Sequence, residues 1–465
     1  MKKSVLIGII AAAVVLVAIL VVVIGMSTNA TQPDRGSTTS TSTTTSTNGG
    51  GSHTCQTSDW IVDKAPTKTE NGFQHTECTI CGEVLKEAVL YATGSEGLAY
   101  SENSYTNTLT IIGIGECSDT EIIIPAQING KMVTAIGEKA FYECTDVRKI
   151  VLPDTIYSIG TRAFYGCTGL TEFTVPASVI EIGTQIFYKA GNLHTVYYNS
   201  RYSSSDNDFL NLQHITKIVL GGESMASNIL YGNGCVKEVV VQESITNIPY
   251  AAFHGCTSLE KVTIPNSVTK IEDSAFSGCT SLKSIIIPDT VTDIGEGIFY
   301  NCTSLTYVQL GNGVTTISSK ADKWANDRGM FENCTSLKQI TIPNSVTTIG
   351  ARAFMGCTAL NDINIPESVT IIDTYAFTGC TSLKSITLAD SVTSIGKYAF
   401  SDCTSLKEIV IPNSVTSISD CIFMNCSSLT IYCEVESQPN GWSYRWNDTV
   451  LGDLPTVVWG YTRNK

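Results

Sequence analysis

Charge is scarce in this chain. Lys, Arg, Asp and Glu make up 15% of its 465 residues, and the balance is acidic, with 29 basic against 43 acidic side chains and a net charge of −14. Lys and Arg occur only at scattered positions, so nothing offers a phosphate backbone the clustered cationic footprint it needs, and nucleic acid is excluded as a partner. The acidic residues form no Asp-x-Asp-x-Asp-Gly loop, so their meaning is solubility rather than calcium binding. Histidine is rare, at positions 53, 75, 194, 214 and 254 only. Missing as well are Gly-x-x-x-x-Gly-Lys-Ser/Thr, His-Glu-x-x-His and the Gly-x-Ser-x-Gly elbow. His254 does stand beside Gly255 and Cys256, but a cysteine at a repeated core position lacks the exposed electropositive setting of a nucleophile. No enzyme is expected.

What the chain has in excess is repetition. A phrase of 23 residues returns along most of its length, cleanest as Phe-x-x-Cys-Thr-Ser-Leu-Lys-x-Ile-x-Ile-Pro-x-Ser-Val-Thr-x-Ile-x-x-x-Ala-Phe. A fixed period of this size marks a stacked array with one coil per repeat. Cys144, Cys167, Cys256, Cys279, Cys302, Cys334, Cys357, Cys380, Cys403 and Cys426 hold one position of it, and Ala190, Leu212 and Asn233 stand there in degenerate copies. Thirteen coils result, spanning roughly 60 Å at ~4.7–4.9 Å per strand. One coil carries about eight apolar side chains worth roughly 12–24 kcal/mol of burial at ~1.5–3 each. Ordering its backbone costs ~1–2 kcal/mol per residue, so each coil needs its neighbours.

The ten equivalent cysteines are expected to be buried free thiols. Side chains stacked on successive coils point the same way, which suits the torsion of a disulfide poorly. Proline after the strand, at Pro265, Pro288, Pro343, Pro366 and Pro412, ends the ladder and begins a turn by fixing φ and removing a donor. The Val-Thr-x-Ile phrase reads as a second short strand, the Ala-Phe stretch as a helical or 3₁₀ turn, and overall helix content should be low.

The wording Leu-x-x-Ile-x-Ile-Pro-x-Ser-Val-Thr-x-Ile-Gly-x-x-Ala-Phe-x-x-Cys resembles the BspA-like leucine-rich repeat family over about residues 98–460. The irregular entry Leu109–Cys117 with Ile122–Pro125, and the ending Leu429–Cys433 with Trp442 and Trp459, resemble that family too. The resemblance implies a mainly β, right-handed leucine-rich-repeat solenoid and a cell-surface binding protein. The chain departs from ordinary leucine-rich repeats in having no Asn or Cys ladder after the strand. Its cysteine comes before the strand, so the bend must be held another way.

Ahead of the repeats, Lys2 and Lys3 precede an apolar run from Val5 to Ile24, which matches a bilayer's hydrocarbon thickness. Residues 1–26 are expected to be a single-pass transmembrane signal anchor with the N-terminus inside and the bulk of the chain extracellular. Secretion after signal cleavage is the alternative. Residues 27–52, rich in Thr, Ser and Gly, read as a disordered tether. Residues 53–88 read as a small zinc-ribbon-like module, similar to Cys and His modules of clostridial surface proteins. His53, Cys55, Cys78 and Cys81 are its candidate ligands for one structural Zn, with His75 as the alternative fourth ligand. A disulfide from Cys55 to one of the pair is the competing reading. Residues 89–130 form an irregular N-terminal cap, 131–433 the solenoid and 434–465 a Trp-rich C-terminal cap over the open end of the stack.

If Leu, Ile and Ile of each strand face the core, the residue between the last two faces out. That row runs Thr174, Tyr197, Thr263, Ile286, Gln309, Thr341, Asn364, Thr387 and Val410. Candidate partner-binding residues are His194, Tyr197, Tyr198 and Tyr202 in the degenerate region and Tyr307 and Gln309 on a central coil. Trp324, in a nine-residue insertion between Ile317 and Phe331, joins them. The expected function is that of a membrane-anchored, adhesin-like protein offering its repeat surface to an extracellular protein or cell-surface ligand. The alternative is a cell-envelope polysaccharide-binding or scaffold protein with a glycan ligand.

Overall fold

The computed structural model describes residues 45–46, 53–201, 214–317, 328–426, 428–449 and 454–463. The anchor of residues 1–26, the tether of 27–52 apart from Thr45 and Ser46, Tyr202 and Trp324 lie outside the described residues, as does the side chain of His53. The described chain is mainly β, a solenoid of about fourteen turns, and no α-helix is present among the described residues. The turn beyond the thirteen read from the cysteine spacing is the entry coil, whose strand Glu121–Ile123 pairs in parallel with Lys149–Val151.

Each coil contributes one strand from its Leu-x-x-Ile-x-Ile phrase, and these strands pair in parallel and in register. Glu172–Val175, Thr195–Tyr198, Lys217–Leu220, Glu238–Val241 and Lys261–Thr263 form one such run, and Ser284–Ile286, Tyr307–Gln309 and Gln339–Thr341 another. The inward residue is buried and its neighbours exposed, because successive side chains leave a strand on opposite sides. Proline then opens a turn: the amides of Val268, Val291 and Val346 donate to the carbonyls of Pro265, Pro288 and Pro343. A two-residue strand follows, stacked in its own parallel row, as in Thr316–Ile317, Thr348–Ile349, Ile371–Ile372, Ser394–Ile395 and Ser417–Ile418. Across the insertion Thr315 and Thr347 occupy equivalent positions 32 residues apart, whereas Thr347 and Thr370 are 23 apart. The extra residues therefore leave the strand register untouched.

The Ala-Phe stretch is not the helical turn expected. Amides of Lys139, Phe141 and Glu143 donate to Thr161, Ala163 and Tyr165 of the next coil, while those of Ala140, Tyr142 and Cys144 donate three residues back within their own coil. A helix would spend every amide along its own axis. Here two left-handed residues per coil, four apart, turn alternate amides toward the neighbour: Lys139 and Glu143 at φ 56° and 54°, Ala251 and Gly255 at 50° and 70°, Tyr398 and Asp402 at 57° and 58°. Left-handed backbone costs an L-residue roughly 1–2 kcal/mol. That cost explains the Gly, Asn or Asp that so often precedes the repeated cysteine.

Three side-chain ladders bind the coils. Phe253, Phe276, Phe299, Phe331, Phe354, Phe377, Phe400 and Phe423 stack in one column with ring centroids 5.1 to 5.7 Å apart. Hydroxyls of the Pro-x-Ser/Thr position, such as Ser267, Thr290 and Ser368, donate to the carbonyls of Ile245, Val268 and Val346 one coil back, at 2.6 to 2.8 Å. Thiols form the third ladder. Cys279, Cys302, Cys357, Cys380 and Cys403 donate to the carbonyls of Phe253, Phe276, Phe331, Phe354 and Phe377 at 3.1 to 3.2 Å. Each of those carbonyls also accepts the amide of the cysteine three residues on in its own coil. The thiol thus does the bend-holding work that the missing Asn ladder does not. Cys144, first in the row, has no preceding Phe carbonyl and is only half-buried.

At the far end Trp446 packs edge-on against Phe423 at 6.3 Å, and Trp442 and Trp459 close around it. The indole of Trp442 donates to the carbonyl of Val415 at 3.0 Å, the bond the next coil's Ser would have made. Arg463 reaches back to Asp390 at 3.3 Å and Glu434 at 2.8 Å.

Candidate functional site

The ladders consume the polar groups of the coil bends and leave the outer side of the strand sheet as the surface whose chemistry varies. Thr174, Thr263, Ile286, Gln309, Thr341, Asn364 and Thr387 are exposed there, and Tyr197 and Val410 are half-buried. Ile286, 58% exposed, sits opposite Gln309, and Tyr307, 39% exposed, sits opposite Ser284, giving an apolar patch on the central coils. The hydroxyl of Tyr307 reaches Gln309 at 3.4 Å. Beside this row lies a basic one missed in the sequence. Arg148, Lys237, Lys283, Lys338, Lys384 and Lys407, each just after the first Leu or Val of its strand phrase, are all exposed. Glu238 lies between Lys217 and Lys261, at 3.4 and 3.2 Å; partial burial works against its charge, but the two ammonium groups hold its pKa below the ordinary carboxylate range. On a chain of net charge −14, this row is mostly basic, interrupted by Glu260, which lies 3.6 Å from Lys283.

The degenerate region is only partly available. His194 is exposed, its Nδ1 3.1 Å from the Thr195 hydroxyl. Tyr198 is 1% exposed and is withdrawn as a contact residue: strand alternation turns it inward with Val196, away from Tyr197. A second aromatic row, also missed, stands two residues before the ladder position. Tyr142, Tyr165 and Tyr188 stack at 4.7 and 5.6 Å, and Tyr231 stacks on His254 at 4.8 Å. Faces between neighbours are covered, and Lys189 lies over Tyr165 and Arg328 over Tyr300, while Tyr142, Tyr188 and Tyr231 remain 40%, 44% and 60% exposed.

Burial pushes the ladder thiols up, to about 12 for Cys167, Cys256, Cys380 and Cys426, and well above the ordinary range for Cys279, Cys334, Cys357 and Cys403. They are neutral and inert at physiological pH. The N-terminal module differs. Its three antiparallel strands, Ile61–Lys64, Gly72–Glu77 and Val84–Leu90, bring the sulfurs of Cys55, Cys78 and Cys81 within 4.8 Å of one another. Cys55 and Cys78 are buried and Cys81 is exposed. Hydrogen bonding to Cys78, with burial and the neighbouring sulfurs, pushes the Cys55 thiol up to about 11. His75 is not brought to this cluster. Its Nδ1 lies 2.8 Å from Asp63, which raises its pKa, and it leaves its strand on the side opposite buried Thr76. The module meets the entry coil through Lys68 and Asp119, 2.5 Å apart.

A model of the BspA type leucine rich repeat region matches residues 134–230, 223–321 and 327–437, well over half of the chain, in six copies. The chain belongs to the BspA-type leucine-rich repeat family. The matched span of this BspA-type chain coincides with the three-ladder solenoid and omits the thiol module. Among solved structures it is similar to a leucine-rich repeat protein from Bacteroides ovatus, 25% identical, covering 72% of this chain and 93% of that one with a TM-score of 0.44. It is also similar to a leucine rich cell surface protein from Faecalibacterium prausnitzii, 28% identical over 75% and 95% of the chains, TM-score 0.34. An internalin from Listeria monocytogenes is 16% identical over 70% and 92%, TM-score 0.30. No curated protein matches.

Proposed function

We propose that this chain is a membrane-anchored, extracellular, adhesin-like protein without enzymatic activity, whose strand face binds a protein on another surface. The observation that carries the reading is that a strictly repeating scaffold holds non-repeating side chains outward along its strand face. Phe, Cys and Ser or Thr ladders are used up in stacking coils, while Ile286, Tyr307, Gln309 and the flanking lysines are presented outward. Apolar anchors with a mostly basic row along one side suit a partner that pairs an apolar contact with an acidic edge. The sequence of residues 1–26 supports the single-pass anchor, and 27–52 the tether that carries the array away from the bilayer.

Capture of proteins from host and bacterial surface extracts on the immobilised chain tests this. A partner should be retained at low salt, released progressively as salt screens the lysine row, and lost in Tyr307→Ala with Ile286→Lys. Retention of glycans alone, or capture indifferent to those substitutions, would overturn the reading. Detection of Met1 peptides on the cellular protein would support the anchor, and a mature start near Thr31 would refute it.

A further inference from the structure

The module of residues 54–90 has almost no interior. Ile61, Val62, Phe73, Ile80, Val84 and Val89 are exposed, and the buried side chains are Cys55, Thr76 and Cys78. So little buried hydrocarbon cannot offset ordering entropy of ~1–2 kcal/mol per residue. Small scaffolds of this kind depend on a staple. Around the sulfurs, however, the backbone is closely fixed. The Cys78 amide donates to Glu83 and the Gly82 amide to Cys78, both at 2.8 Å, and the Thr79 amide donates to Gln56 at 2.9 Å. Gly82, at φ +71°, follows Cys81 and closes the turn that carries Cys78 and Cys81.

A disulfide would account for two of the three convergent sulfurs and leave the third unexplained. Three sulfurs, each about 2.3 Å from one tetrahedral zinc, stand roughly 3.8 Å apart, a small contraction from the 4.8 Å limit within which they lie. Thiolates also select a soft or borderline cation over calcium, magnesium or manganese. We propose that Cys55, Cys78 and Cys81 hold one structural zinc ion, and that this ion folds the module against the entry coil. His75, which leaves its strand on the side opposite Thr76 and is not among the convergent groups, is not a ligand, and the fourth position belongs to a group beyond these three sulfurs.

The test is metal analysis of the full-length chain purified under reducing conditions. About one zinc per chain is expected, falling at least about tenfold in Cys81→Ser, whose exposed side chain packs against little, and unchanged in His75→Ala. Cobalt substitution should give thiolate charge-transfer bands that disappear in Cys81→Ser. A chelator should speed amide exchange across 54–90 and leave the repeats unchanged. Absence of zinc after reconstitution, retention of zinc by Cys81→Ser, loss of it in His75→Ala, or, in chain purified without reductant, a mass about 2 Da low from a disulfide at Cys55 would each overturn the proposal.

Discussion

Cys380 and Cys78 are equally buried, at 0% and 1% exposure, yet they belong to regions built in opposite ways. Around Cys380 every neighbour repeats: Phe377 lies between Phe354 and Phe400, the thiol bonds to the Phe354 carbonyl, and apolar side chains fill the coil. Around Cys78 nothing repeats, the apolar side chains of the sheet face solvent, and two other sulfurs lie close by. The same residue is a small hydrophobe with a weak donor in one setting and a convergent ligand in the other. What decides between them is whether the backbone delivers the sulfur to hydrocarbon or to other sulfurs.

Alkaline pH should have the largest effect, on the array with its many buried thiols. The ladder thiols have pKa values raised to about 12 or beyond, while in the unfolded chain they titrate near the ordinary value of 9.0. Below that value both states are protonated and pH has no effect. Above it the unfolded chain alone loses protons, so stability falls as pH rises from about 9 toward 12, by up to ~1.4 kcal/mol per pH unit for each thiol. Urea midpoints of the array at pH 7, 9 and 10.5 should therefore drop steeply, and a flat profile would contradict neutral buried thiols.

Side-chain truncation comes next in size. Phe354→Ala, which interrupts the column between Phe331 and Phe377, should cost about 3–5 kcal/mol by denaturant unfolding. Phe73→Ala in the module, where the ring is 50% exposed, should cost under about 0.5 kcal/mol. Equal losses would erase the distinction. The smallest contrast concerns glycine: Gly356→Ala and Gly82→Ala both place an L-residue at positive φ, +73° and +71°, and each should cost about 1 kcal/mol. Gly356 should be the worse, because its new Cβ would stand 2.5 Å from the Asn333 side chain, whereas Gly82 meets open space.

Much of the array was legible in the sequence because one residue type at one spacing can satisfy a stack in few ways. The 23-residue interval, the Pro that ends the strand and the alternation placing Ile286 and Gln309 outward all follow from period and pleat. The interleaved turn was not legible. Gly255, Asn301 and Asp402 before the cysteines were a visible signal of left-handed backbone, but Lys139, Arg162 and Tyr398 at the other left-handed position carry none. The basic row escaped because its lysines are 23 or more residues apart in sequence and become neighbours only when the coils stack. His75 misled because three residues from a cysteine suggests a shared metal, while a strand turns it to the other face, beside Asp63. Tyr198 was grouped with Tyr197 by sequence proximity, although the pleat sends adjacent residues to opposite sides.

Residue-resolved alkylation of the native chain by mass spectrometry, with and without a zinc chelator at neutral pH, tests the contrast between the two regions most directly. The account predicts that Cys256, Cys279, Cys302, Cys334, Cys357, Cys380 and Cys403 stay unlabelled in both samples, while Cys55, Cys78 and Cys81 become labelled only after chelation. Rapid labelling or disulfide pairing of the ladder cysteines in the native chain would contradict it.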